Sequence, residues 1–137
     1  MPRLSRWCIK TGLVYFVLGL LLGIVISFDT VRFSTAGRAL WLVYLHLLVV
    51  GWITMLIIGV AYWLFPRYDR DQPYGSVTLG WTGYVLLNGG LVLRAVVEPW
   101  TAAGGRPFEP VVIVSAAAQL FGILAFVTLL WPRVKGK

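Results

Sequence analysis

Charge is scarce in this chain of 137 residues. Only 12% are Asp, Glu, Lys or Arg, against about 25% in an ordinary soluble domain. Acidic residues are the scarcer sign, 5 against 12 basic, which leaves a formal net charge of +7. A soluble domain covers most of its surface with polar groups, and a chain that is 59% hydrophobic, with mean hydropathy +0.84, has too few. A soluble enzyme and a disordered tail are poor readings on that ground. No nucleic-acid partner is expected either, because the cations are scattered between apolar runs and do not gather on one amphipathic face. A single cysteine, Cys8, allows no internal disulfide and no Cys-x-x-Cys-His haem attachment. A single histidine, His46, with no cysteine or carboxylate close in sequence, cannot build a closed metal centre. Internal repeats, low-complexity tracts and a nucleotide-binding glycine loop are absent.

What remains is apolar sequence in long runs. Four are long enough to span a bilayer, at residues 11–28, 40–65, 75–97 and 111–131. The connections 29–39, 66–74 and 98–110 are too short for a separate domain. Residues 1–137 therefore read as one all-α domain, a four-helix transmembrane bundle. The N-terminal run follows basic residues as a signal peptide would. The residues that end it, Ser27-Phe28-Asp29-Thr30, show no small-x-small cleavage pattern, so a retained anchor is expected.

Cation placement sets the expected orientation. Arg3, Arg6 and Lys10, Arg67 and Arg70, then Arg133, Lys135 and Lys137 fall on one side. Arg32, Arg38 and Arg106 fall on the other, with Arg94 just inside the third run. The richer side should be cytoplasmic, placing both termini inside a prokaryotic inner membrane. Trp7, Trp41, Trp63, Tyr68, Tyr74, Trp100 and Trp131 near the run ends suit interfacial belts.

Polar residues inside the runs are the candidates for function, because polarity is expensive there. His46 falls roughly 9 Å below the outer end of the second run. Asn88 and Gln119 share that outer half, and Arg94 sits near its surface. In the first run Gly19, Gly23 and Ser27 form a small-residue ridge, which predicts close approach of a neighbouring helix or a second copy. Gly83, Gly90 and Arg94 form a stripe in the third run, Ser115, Gln119 and Gly122 one in the fourth. Such stripes serve close packing, although Arg94 at the mouth of a glycine groove also suits an anionic ligand. A neutral imidazole at His46 serves either as a hydrogen bond between helices or as a haem ligand, since haem needs only one or two axial ligands.

The segment Tyr44-Leu-His46-Leu-Leu-Val-Val-Gly51-Trp52, continuing through Gly59-Val-Ala-Tyr62-Trp-Leu-Phe-Pro66-Arg67, resembles the second helix of subunit I of haem-copper oxidases. Among oxidases the resemblance is to the nitric-oxide-reductase and C-type branch, and the segment is even more similar to small four-helix proteins described as oxidase subunit I-like. The resemblance is strong over about 24 residues and loose over the four-run layout. It implies that His46 ligates the iron of a haem b and that Tyr-x-x-x-Pro-Arg closes the helix. Tyr44 and Trp63 stand where related small proteins carry further histidines, and the full six-histidine set of an oxidase is absent.

The function so implied is a haem b-binding membrane protein acting in electron transfer or diatomic gas binding. It would be a homo-oligomer or an accessory subunit of a respiratory complex, and not an enzyme on its own. Arg94 would face a haem propionate, or else pair with Glu98 one turn on. Trp52 and Tyr84 would wall the pocket. Asn88 and Gln119 would bond a haem edge, a water or another helix. A cofactor-free structural subunit is the alternative. A proton-coupled transporter fits poorly, since Asp29, Asp69, Asp71, Glu98 and Glu109 are all expected in or beside loops.

Overall fold

Helix boundaries follow local chemistry. In a computed structural model, which describes residues 1–28, 34–68, 70, 72–102, 104 and 109–134, four helices account for most of the chain. Helix α1 is Arg3–Ile26. Ser34 accepts a hydrogen bond from the Gly37 amide at 2.9 Å and opens α2, Thr35–Leu64. Phe65 is extended (φ −64°, ψ 149°) because Pro66 follows, and that ends α2. Ser76 caps α3, Val77–Ala102, and Pro110 lies in the first turn of α4, Glu109–Leu130, where its missing N–H costs nothing. A 3-10 turn, Trp131–Arg133, closes the described chain.

The helices run up and down, so the start of α1, the end of α2, the start of α3 and the end of α4 meet at one end. Leu4, Cys8, Met55, Ile58, Tyr62, Leu87, Phe126 and Leu129 make one core cluster there. A second cluster, Tyr15, Val43, Leu47 and Leu91, lies toward the other end. Helix α3 packs most extensively on α4, and α1 on α2.

Glycines set these close approaches. A Cβ on Gly90 would lie 2.7 Å from the Ser115 carbonyl oxygen, and one on Gly122 would lie 2.8 Å from the Leu87 amide. The α3 and α4 stripes are therefore spent on each other, and the glycine groove expected beside Arg94 is filled by Ser115 and Gln119. The ridge on α1 is likewise used within the chain: Gly19 faces Leu48 and Gly23 faces the Tyr44 ring.

Three of the four helices, Arg3–Ile26, Thr35–Leu64 and the segment Pro110–Arg133, are long and apolar enough to cross a membrane. Helix α3 is long enough, at 26 residues, but carries Asn88, Arg94, Glu98 and a series of glycines that dilute its apolar character. It also runs through Pro99 to Ala102, past the expected limit at Val97. Glu98, expected at a loop edge, is consequently inside a helix and only 8% exposed. Large apolar side chains cover the outside of the bundle, among them Leu13, Val17, Ile57, Val85, Val92 and Phe121.

Candidate functional site

Helix α2 departs from regular α geometry where the sequence is most informative. Leu47–Thr54, directly after His46, is wound as a π-helix. Thr54 donates from its hydroxyl to the Val49 carbonyl five residues back, at 2.8 Å. Runs of this winding are rare and occur often at functional sites. The wider turn coincides with Gly51, whose missing Cβ leaves room for the Tyr15 ring of α1, 2.8 Å from where that atom would be.

His46 is half-buried. Its Nδ1 lies 2.8 Å from the Leu42 carbonyl oxygen. A carbonyl can only accept, so a neutral ring carries its proton on Nδ1 and its lone pair on Nε2. Among the described residues no other group bonds this imidazole. Its neighbours Leu42, Leu45 and Val49 are exposed, so the ring stands on the outer flank of α2 and not in the bundle core.

Leu42 also lines a cleft of about 510 Å3 where the start of α2, the end of α3 and the start of α4 converge, with Thr35, Arg38, Glu98 and Thr101. A second cleft of about 710 Å3 opens between α1 and α2, beside Arg38, Trp41, Tyr44 and Ser27. Trp41 and Tyr44 stack there at 5.2 Å. His46 lies one helical turn from both clefts and lines neither.

The other expected site residues are engaged elsewhere. Arg94 donates from Nε to Glu98 Oε2 at 2.9 Å and from Nη2 to Oε1 at 3.4 Å, the within-helix alternative. Trp52 stacks on Phe16 at 4.0 Å in the α1–α2 seam. The hydroxyls of Tyr84 and Thr11 share a hydrogen bond of 2.7 Å. Asn88 accepts from the Tyr15 hydroxyl at 2.9 Å and donates to the Tyr84 carbonyl at 2.7 Å. Thr11, Tyr15, Tyr84 and Asn88 thus form a polar ladder joining α1 to α3. Gln119 is buried against Gly90, and among the described residues its Nε2 has no hydrogen-bond partner. Among the described residues no hydrogen bond, ion pair or ring contact joins His46 to any of these five.

One residue with a larger role than the sequence suggested is Arg133. It is fully buried and donates to three carbonyls that end α2: Tyr62 and Pro66 at 3.0 Å and Phe65 at 2.8 Å. Its guanidinium carbon is 5.5 Å from the Tyr62 ring and 5.7 Å from that of Tyr74. The signal for this was Pro132, at which the α winding of α4 gives way to the 3-10 turn that carries Arg133.

Among the described residues no group of three His, Cys, Asp or Glu side chains could hold a metal ion. No family model, curated protein or solved structure matches the chain.

Proposed function

We propose that the protein is a multi-pass integral membrane protein in which His46 supplies one axial nitrogen to a b-type haem on the outer flank of α2. The observation that carries this reading is the Nδ1 bond to Leu42, which leaves the Nε2 lone pair directed away from its own helix carbonyl. A fixed second nitrogen is how proteins orient an imidazole toward a metal. The fit is limited to that one ligand. The helix seams are filled by Tyr15, Leu48 and Gln119, so a porphyrin has room against the outside of α2, facing a second chain, and none in the bundle core. Bound haem would supply one-electron or diatomic-gas chemistry. The chain's own part would be to hold His46 in one tautomer and to present Arg38 at the rim of both clefts.

The membrane reading is supported by the three long apolar helices and the apolar outer surface. Both described ends lie at the basic end of the bundle, which the cation distribution would place in the cytoplasm of a prokaryote. A cofactor-free structural subunit is the second reading. It is favoured by the engagement of Trp52, Tyr84, Asn88 and Arg94 inside the chain.

A visible spectrum of detergent-purified protein, expressed with ample haem, decides between them. We expect a Soret band with stoichiometric haem by pyridine haemochrome, lost in His46→Ala while the helix content is kept. A wild-type protein with no Soret band would overturn the haem reading and leave the structural subunit.

A further inference from the structure

Arg3, Arg6, Trp7 and Lys10 recur at the spacing that puts residues on one helix face. All four are exposed, and together they line a cleft of about 360 Å3 at the basic end of the bundle. Leu4, Ser5 and Cys8, on the opposite face of the same turns, are buried. The cationic face is thereby turned away from the protein. No acidic side chain reaches any of the three cations among the described residues. Like charges one turn apart repel, so the cluster is unfavourable until an anion joins it.

The same face continues down α1 as Leu13, Val17, Leu21 and Ile24, every one exposed. Cations, an interfacial indole and then an unbroken apolar stripe reproduce along one helix the profile of a lipid, headgroup first and chain after. A free phosphate would need only the first part, and a nucleic acid or acidic peptide would have no use for the stripe. Helix α1 has 24 residues and is about 36 Å long, which exceeds a hydrocarbon core of about 30 Å by roughly the headgroup layer.

We propose that this face of α1 binds an anionic phospholipid, with the headgroup phosphate between Arg3, Arg6 and Lys10 and an acyl chain along Leu13, Val17 and Leu21. The proposal rests on the membrane reading given above. Cations at an anionic surface contribute enough that losing three weakens binding about a hundredfold.

The test is native mass spectrometry of the detergent-purified full chain, exchanged into equal amounts of phosphatidylglycerol and phosphatidylcholine. We expect the wild type to retain phosphatidylglycerol selectively and R3Q/R6Q/K10Q to lose it, with the charge-retaining R3K/R6K keeping it. Rising salt should release the lipid from the wild type, an arm that needs no variant. Equal retention of both lipids, or unchanged retention in the triple variant, overturns the proposal. So does displacement of the lipid by millimolar inorganic phosphate, which would mark a phosphate site. A chain that stays soluble without detergent removes the membrane reading and this one together. A chain that needs detergent yet holds both lipids equally removes only this one.

Discussion

A guanidinium withdrawn from water must find acceptors, and Arg133 finds three in the carbonyls of Tyr62, Phe65 and Pro66, in the last turn of α2 and just beyond it. Those carbonyls have no partner within their own helix, so one side chain closes α2 and fixes the end of α4 to it. Arg133→Met should cost about 3 kcal/mol, the scale for removing a buried charged hydrogen-bonding group. Arg133→Lys should recover less than half, because an ammonium lacks the planar fork that reaches three oxygens. Unfolding by SDS titration in mild detergent would measure both, and equal stability of Arg133→Met and wild type would refute the role. The sequence shows Arg133 only as one cation on the richer side, since a charge count along a chain cannot see a side chain that folds back. His46 was legible because a lone histidine in an apolar run stands out. Its protonated nitrogen was not, being set by a rotamer and a carbonyl one turn away.

At the scale of elements, small residues could be read from the sequence as packing surfaces, but their partners could not. Gly89 and Gly90 are adjacent on α3 and make the point. A Cβ on Gly89 meets nothing within 4 Å, whereas one on Gly90 meets α4 backbone. Gly89→Ala should leave stability unchanged or raise it by up to about 1 kcal/mol, the helix-propensity gain. Gly90→Ala should lower it by about 1–3 kcal/mol through overpacking. Paired thermal melts in one detergent would check this, and a Gly90→Ala melt at or above the Gly89→Ala value would contradict the seam. The four helices themselves followed from the hydrophobic runs. Two features did not: the π winding of Leu47–Thr54, which coincides with the Tyr15 ring lodged at Gly51, and the continuation of α3 through Pro99.

For the whole molecule, the up-and-down arrangement puts residue 102 at the end opposite the two termini of the described chain. Fully buried Cys8 should stay silent to thiol reagents, so cysteines introduced at Ala102 and Lys137 report cleanly. We expect an impermeant maleimide added to intact cells to label Ala102→Cys and spare Lys137→Cys. The reverse pattern would invert the proposed topology. The pairing of α1 with α2 and of α3 with α4 has a further consequence, in terms of chain continuity. Each hairpin holds most of its contacts within itself, and the two meet along faces already formed. The peptide link between them is then dispensable. Fragments divided between Tyr68 and Gln72, made in one cell, should copurify as a folded pair, with Arg133 of one still bonded to Tyr62, Phe65 and Pro66 of the other. Fragments that purify apart would place the cohesion of the bundle in its connections and not in its seams.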